Sequence, residues 1–395
     1  MCRNVVVSLL RRSLAVLGLA VAVACGSAMS ADAPAKLHIG VHAAFVVPGG
    51  GSLWATDPVL NRVVRIDPAA VRVKAKLGAP GNPLGLTFGS GSVWVGSRFA
   101  DQVTRFSART NRRQARIRVG SGPYALAYGA GAVWVTNENA GTVSRIGPKR
   151  NKVVKTIRVG GRPNGVTVAF GSVWVADFGR GRVIRIDPAR NRVAGSVSVP
   201  TADWITRVGD SLWISSETGK VYRLDPATLT VTATVTVGAN PLASATIAGE
   251  LWVPNIDANT VSVVDPATNS VRRTIEVGKS PIAIAAAAGA VWVSSEEDGD
   301  LWRLNASGLA LGGPPARADP RSGLGSRGRA AAARAGPRRR RRSRGRSCPR
   351  ARPSGTAMSR RCAVRTEHSY RGRARRRAGP AARASPHLPG REPET

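Results

Sequence analysis

Small polar side chains recur at one fixed distance from a repeated tryptophan, and their oxygens are of the type that binds a metal ion. The third residue after each of seven tryptophans is an acid, an amide or a serine: Asp57, Ser97, Asn137, Asp177, Ser216, Asn255 and Ser295. Ca²⁺ and Mg²⁺ prefer carboxylate and amide oxygens, so Asp57, Asn137, Asp177 and Asn255 are candidate metal ligands. The same residue types are favoured where a turn begins, which gives the pattern a purely structural alternative.

A second group of candidates lies 29 or 30 residues after three of the tryptophans, and comprises Tyr124, Asn164 and Asp203, the last followed by Trp204. The residue at the position of Trp204 is Gly or Ala in five of the seven repeats. An aromatic ring beside a carboxylate can stack a sugar or a cation, so these four are candidate ligand-binding residues. Alternatively, Trp204 fills the centre of the molecule.

The tryptophans recur every 39 or 40 residues from Trp54 to Trp292 and predict seven copies of one unit of four short strands. The strand around each tryptophan is apolar on both faces, as in Val133-Trp134-Val135, which is typical of a strand buried between packed sheets. Four strands in about forty residues is the period of a β-propeller blade. We therefore expect an all-β, seven-bladed propeller of four-stranded antiparallel blades at residues 36–311. The N-terminal strand Lys36–Val41 is expected to pair into the last blade and close the ring.

The N-terminus has arginines followed by an apolar run at residues 14–24 and small residues, which predicts a signal peptide over residues 1–30. The protein is then expected outside the cytoplasm of a bacterium, as a secreted, periplasmic or cell-surface protein. Cys25 lies in a sequence similar to a lipobox, so a lipid on Cys25 is the alternative and the one membrane contact that the sequence indicates.

The C-terminal residues 312–395 contain 24 Arg, no Lys and four acids, and their composition predicts a disordered tail. A natural basic tail, a linker and the product of a shifted reading frame are the three explanations. The formal net charge of +36 would suit nucleic acid. The tail has one aromatic residue, Tyr370, and no recognisable reader fold, which argues against nucleic-acid binding.

The segments GAVWVTNENAGTVSRIGPKRNKVVKTIRVG and GSVWVADFGRGRVIRIDPARNRV resemble the YVTN-type (YncE-like) repeats of exported bacterial propellers. They also resemble the blades of streptogramin B (virginiamycin B) lyases. The resemblance covers about residues 36–305 and implies the propeller fold. The lyase resemblance implies a catalytic histidine with an acidic partner and Mg²⁺ on the axis. His38 and His42 are the only histidines before His368, and both precede the blade loops, which argues against this activity.

No catalytic set of side chains can be defended from the sequence, so it predicts an exported, non-catalytic and monomeric binding scaffold. Its loops would bind a partner protein, a cell-wall glycan or a small molecule, with no certain cofactor. The alternative is a metal-dependent lyase or lactonase, similar to streptogramin lyases or gluconolactonases, which would use Ca²⁺ or Mg²⁺ at the axial mouth of the propeller.

Overall fold

The structure, a computed structural model, describes residues 35–305, which form strands and one short 3₁₀-helix. The first described element is strand β1 (Ala35–His38). Blade 1 consists of β2 (Val46–Gly49), β3 (Ser52–Asp57), β4 (Arg62–Asp67) and β5 (Arg72–Gly78). Blade 2 consists of β6 (Pro83–Gly89), β7 (Ser92–Ser97), β8 (Gln102–Ser107) and β9 (Arg113–Arg118). Blade 3 consists of β10 (Pro123–Gly129), β11 (Ala132–Asn137), β12 (Thr142–Gly147) and β13 (Lys152–Arg158).

The remaining blades repeat this arrangement. Blade 4 consists of β14 (Pro163–Ala169), β15 (Ser172–Asp177), the 3₁₀-helix (Phe178–Arg180), β16 (Arg182–Asp187) and β17 (Arg192–Ser198). Blade 5 consists of β18 (Ala202–Val208), β19 (Ser211–Ser216), β20 (Lys220–Asp225) and β21 (Thr230–Thr236). Blade 6 consists of β22 (Ala245–Ile247), β23 (Glu250–Asn255), β24 (Thr260–Asp265) and β25 (Ser270–Glu276). Blade 7 contains β26 (Pro281–Ala287), β27 (Ala290–Ser295) and β28 (Asp300–Leu304).

The strands form seven four-stranded antiparallel sheets, which confirms the predicted seven-bladed propeller. In six blades the four strands follow one another in the chain. In blade 7 the fourth strand is β1, which pairs with β28 so that Ala35 lies opposite Arg303 and His38 opposite Asp300. The closing strand is therefore in the predicted sheet, and it ends at His38 rather than Val41.

The repeated tryptophans lie at the centre of each blade. Every residue of β11 is buried, and Trp134 is fully inaccessible to solvent. Its indole N–H donates to the carbonyl of Gly129 at 3.1 Å, so the polar end of the ring is satisfied inside the core. Burial of both faces of the strand explains why its sequence shows no polar alternation.

An arginine on the third strand joins neighbouring blades. Arg145 stacks over Trp134 with its guanidinium carbon 5.1 Å from the ring centroid. Its Nη1 donates to the carbonyl of Pro188 at 2.8 Å and to Oδ1 of Asn191 at 2.7 Å, both in the next blade. Equivalent bonds from third-strand arginines reach the next blade at Arg105 and Arg223. The Arg-x-Asp-Pro pattern thus encodes contacts between blades as well as turns.

Several predictions concern residues outside the described range: the signal peptide at 1–30, the lipid on Cys25, the last part of the 36–311 propeller boundary and the tail at 312–395. In residues 35–305, no helix is long and apolar enough to cross a membrane.

Candidate functional site

Each blade begins on the face that carries the loops from the second to the third strand and from one blade to the next, here called the upper face. At this end the first strand contains a β-bulge. The pairing register shifts between Pro123 and Leu126 in β10, between Pro163 and Val166 in β14 and between Ala202 and Trp204 in β18. Bulges redirect side chains and are frequent beside active sites, and the four sequence-predicted ligand-binding residues all lie in or next to them.

The backbones of neighbouring first strands approach closely at the bulges. A Cβ atom on Gly85 would lie 2.1 Å from the carbonyl oxygen of Tyr124, and one on Gly165 would lie 2.6 Å from the carbonyl oxygen of Asp203. The small residues at this position are therefore required by the crowded axis. Blades 1 and 5 carry Phe45 and Trp204 there instead.

These aromatic residues meet across the axis. The ring centroids of Phe45 and Trp204 are 5.3 Å apart, and those of Phe45 and Tyr124 are 6.2 Å apart in an edge-to-face arrangement. Blades 1, 3 and 5 are not neighbours, so the three rings together fill the centre of the ring of blades. We call them the aromatic plug. Of the two alternatives for Trp204, the structure supports filling of the centre.

Asp203 lies beside the plug and is 3% exposed. Its Oδ1 accepts a hydrogen bond of 2.8 Å from the amide of Asn164, whose own Oδ1 is buried with no recorded partner. Burial raises the pKa of the Asp203 carboxyl to about 7, although the bond from Asn164 favours the ionised form. The neighbouring carboxylates of Glu217 and Glu138 raise this pKa further, whereas Arg162 lowers it. Asp203 therefore titrates near neutral pH.

Above Asp203, an acid is held between two arginines from neighbouring blades. The Glu138 side chain is 2% exposed, and its carboxylate accepts from Arg98 at 2.6 Å and from Arg162. Arg162 also stacks over Phe178 at 5.1 Å, and its side chain is half exposed. The arginines hold Glu138 as a buried carboxylate and leave guanidinium groups facing the solvent.

Glu217 completes the group on the solvent side, because it is partly buried and interacts electrostatically with both Asp203 and Arg162. Burial raises the pKa of Glu217, Arg162 opposes the shift and Asp257 adds to it. We call Arg98, Glu138, Arg162, Asp203 and Glu217 the mouth cluster. It combines two carboxyls of raised pKa with two fixed positive charges.

A histidine–glutamate pair occupies the equivalent place between blades 7 and 1. His42 Nδ1 lies 3.6 Å from Glu296 Oε1. His42 stands two residues before Ala44 in blade 1, as Arg162 stands two residues before Asn164 in blade 4. Glu296 likewise corresponds to Glu138. The interpretation that His42 lies away from the blade loops was therefore wrong, because the structure brings it to the upper face.

The four predicted metal ligands lie apart from the mouth cluster, each within its own blade. Asp57 accepts from the backbone amides of Val41 and Leu60 at 3.2 and 3.0 Å, and its carboxylate pairs with Arg62. Asp177 accepts from the amide of Arg162 and from the Arg182 side chain.

The two asparagine candidates are also held within their blades. The amide of Asn137 donates to Thr142 and Ser144, and that of Asn255 donates to Thr260 and Ser262. No group of three or more acids, histidines or cysteines in residues 35–305 could hold a metal ion. The four residues thus show the contacts expected of turn and loop supports, and the geometry does not fit the Mg²⁺ site that the lyase resemblance implies.

The mouth cluster was missed by sequence reasoning except for Asp203. Its b–c loop members stand four residues after the repeat tryptophans, one position beyond the residues that we considered. That position varies between blades, whereas the third position is small and polar in all seven: Pro58, Arg98, Glu138, Phe178, Glu217, Ile256 and Glu296. Variation within an otherwise regular repeat was the available signal, because a residue needed by every blade would recur in every blade.

Comparisons with known proteins point to enzymes. The family model of glutamine cyclotransferase matches residues 126–289. A streptogramin B lyase structure superposes with a TM-score of 0.62 and 16% identity, covering 69% of this chain and 96% of that one. An inactive histidine-to-alanine variant of virginiamycin B lyase from Staphylococcus aureus, with quinupristin, gives a TM-score of 0.61 and 17% identity, covering 69% and 98%. Hydrazine synthase from Kuenenia stuttgartiensis gives 0.61 and 13%, covering 67% and 96%. No curated protein matches the chain.

These findings correct the functional prediction. The likeness to solved structures, at such low identity, establishes the fold. The match to an enzyme family over the part of the chain that holds Glu138, Arg162, Asp203 and Glu217 overturns the prediction of a non-catalytic binding scaffold and favours an enzymatic propeller.

Proposed function

We propose that the protein is an enzyme that works by acid–base chemistry at the upper end of the propeller axis. The reaction would be the cyclisation of a substrate that carries a free amine and a terminal carboxamide, such as an N-terminal glutamine. One observation carries the proposal: Asp203 is a buried carboxyl with a pKa of about 7, beside Glu217 and below the paired arginines. General acid–base catalysis is most efficient when the pKa lies near the working pH. The glutamine cyclotransferase match over residues 126–289 supports the choice of reaction.

In this reaction the amine nitrogen attacks the carboxamide carbon and a new C–N bond closes the ring. The original C–N bond of the carboxamide breaks and ammonia leaves. The attacking nitrogen loses one proton and the leaving nitrogen gains one, so the reaction needs a group that accepts a proton and then returns it. The Asp203 carboxyl would serve as this shuttle, because neither of its protonation states is strongly favoured near pH 7.

The other members of the mouth cluster would bind and polarise the substrate. Glu217 would hold the amine, because its carboxylate lies towards solvent and carries the opposite charge to an ammonium group. Arg162 would stabilise the oxygen of the tetrahedral intermediate, since fixed positive charge at a developing oxyanion lowers the barrier. The half-exposed side chain of Arg162 covers Asp203, so the proposal requires Arg162 to move when substrate enters.

The test is release of ammonia from a glutaminyl dipeptide, followed with the full chain in a coupled assay. We expect turnover that is lost by at least 100-fold in Asp203→Asn and reduced in Glu217→Gln. Asp210→Asn is the matched control, because Asp210 is exposed at the turn between the first and second strands, on the opposite face. Absence of ammonia release from folded protein, or equal rates for wild type and Asp203→Asn, would overturn the proposal.

A second candidate function is a lyase reaction, favoured by the His42–Glu296 pair at 3.6 Å. A histidine beside an acid can abstract a proton, which is the first step of an elimination. The test is incubation of the protein with quinupristin and chromatographic detection of a ring-opened product. We expect His42→Ala to abolish any such activity and Asp203→Asn to retain it, which separates the two candidates.

The proposed setting of this activity is outside the cytoplasm, as the apolar N-terminal run at residues 14–24 predicts. The finer resemblance to YVTN-type repeat proteins, a lipid on Cys25 and a monomeric state also stand as predictions. Fractionation of the native host with an antibody against the propeller would test the localisation.

A further inference from the structure

A cavity of about 320 Å³ opens on the lower face of the propeller, opposite the mouth cluster. The second halves of the first strands form its walls, and Leu126, Val166 and Val168 supply most of the apolar surface. Trp204 closes its inner end as part of the aromatic plug. Because the plug fills the axis, the cavity is a site of its own and not the inner end of the mouth.

The cavity carries a positive charge at its edge. Arg207 lines the cavity and follows Trp204 on β18 by three residues. Its Nε donates to the carbonyl of Gly209 at 3.0 Å, and its guanidinium lies 4.7 Å from the centroid of Phe170. These recorded partners of the guanidinium hold it in place without neutralising it. None of the residues that line the cavity is an acid.

Hydroxyl groups give the wall a limited polar character. Thr206 is buried and bonds to the hydroxyl and the carbonyl of Ser244, each at 2.8 Å, so its hydrogen-bonding capacity is used within the protein. Thr87 and Thr167 are partly exposed on the same wall. A ligand would therefore meet mostly carbon atoms inside the cavity and one fixed cation at its edge.

We propose that the lower cavity binds a small organic anion with an aromatic or aliphatic body, such as an aryl-substituted carboxylate. The body would lie against Leu126, Val168 and Trp204, and the carboxylate would pair with Arg207. Small-molecule sites are typically concave and mostly apolar with a few fixed polar groups, and a cavity of this volume accommodates one or two rings. The site is independent of the mouth cluster, so its failure would leave the proposed reaction untouched.

The experiment uses 8-anilinonaphthalene-1-sulfonate, an aromatic anion whose fluorescence rises in apolar surroundings, with the full chain at neutral pH. We expect one saturable site. Arg207→Gln should weaken binding by tenfold or more, and Ala127→Phe, which places a ring in the cavity, should abolish it. The controls are Arg118→Gln, an exposed arginine on β9, and Val154→Phe, which adds the same ring on the exposed strand β13. Both should bind as the wild type does.

A competition measurement avoids dependence on the core variant. We expect 4-phenylbutyrate to displace the dye at least tenfold better than 4-phenyl-1-butanol, which has the same ring without the charge. Equal displacement by both compounds would overturn the pairing with Arg207. Dye binding that is absent in the wild type, or unchanged in a folded Ala127→Phe protein, would overturn the site itself.

Discussion

Asp203 shows how burial changes the chemistry of one residue. An exposed aspartate is ionised at neutral pH, whereas this one lies 3% exposed beside the aromatic plug and accepts a bond from Asn164. Desolvation outweighs that bond and raises the pKa of Asp203 to about 7. The carboxyl is therefore costly to ionise, and its charge state is coupled to the stability of the whole domain.

This coupling predicts a pH-dependent stability. With a native pKa of about 7 against 3.8 for the unfolded chain, the native state binds more protons between these values. The contribution of Asp203 is fully present below about pH 4 and is lost as the pH rises through 7. At 1.36 kcal/mol for each pKa unit, the wild type should lose up to about 4 kcal/mol more than Asp203→Asn between pH 4 and 8. Urea unfolding of both proteins across this interval measures the difference, and parallel profiles would contradict it.

The glycines at the axis give a prediction about packing. Gly85→Ala places a methyl group 2.1 Å from the carbonyl oxygen of Tyr124, so the neighbouring backbone must shift. We expect a loss of about 2–4 kcal/mol in the free energy of unfolding. Gly78→Ala is the matched control, because no heavy atom lies within 4 Å of a Cβ at that exposed position. Equal denaturation midpoints for the two variants would show that the axis tolerates the added methyl group.

At residue scale, the sequence predicted the bulge residues better than the mouth cluster. Asn164 and Asp203 were identified because they break a run of apolar or small residues, and they form a hydrogen bond. Glu138 and Arg162 were missed because their partners lie in neighbouring blades, and a single repeat does not show which loops meet. Loop residues become a cluster only once the ring is closed.

At the scale of strands, the turn signals were sufficient to divide the chain into blades, because Asp-Pro and Gly at fixed offsets separate short apolar runs. The Arg145 contact between blades could not be predicted in the same way. It joins the third strand of one blade to the c–d turn of the next, 46 residues later in the chain. Conservation of a residue within the repeat fits this contact and fits a purely local role equally well.

The arginine contacts predict an energetic coupling between blades. Arg145→Met removes the bonds to Pro188 and Asn191 and keeps part of the packing on Trp134, so we expect a loss of about 1–3 kcal/mol. Asn191→Gly removes the acceptor and preserves the left-handed backbone at φ 53°. A double-mutant cycle should give a coupling energy of at least about 0.5 kcal/mol. Arg158→Met, on an exposed strand, should be neutral, and additive effects in the cycle would refute the coupling.

At the scale of the whole molecule, the ring is held closed by β1. Its pairing with β28 is supported by a 2.9 Å contact between His38 and Asp300 and by the Lys36 ammonium 4.2 Å from the Trp302 ring. Without β1, β28 would be an exposed edge, and exposed edges promote association between molecules. Closure was predictable because the run at Lys36 resembles the fourth strand of other blades, which blade 7 otherwise lacks.

Disruption of β1 should therefore lower stability and promote association. Leu37→Pro removes a backbone N–H from the strand opposite Leu301 and restricts the preceding residue. We expect a lower melting temperature and larger species in size-exclusion chromatography with light scattering. Leu37→Ala, which keeps the backbone donor, should remain monomeric and lose less. A monomeric Leu37→Pro protein with unchanged melting would show that closure contributes little.

The pairing of residue 35 with residue 303 also has a consequence for the time course of folding. During translation β1 emerges before any blade, and its partner emerges after six blades have been made. Until then the nascent chain is an open arc, so ring closure must be among the last steps and carries the largest loop entropy of the fold. A circular permutant with β1 joined after β28 would make each blade a contiguous segment. It should reach the same native structure without that late, long-range search.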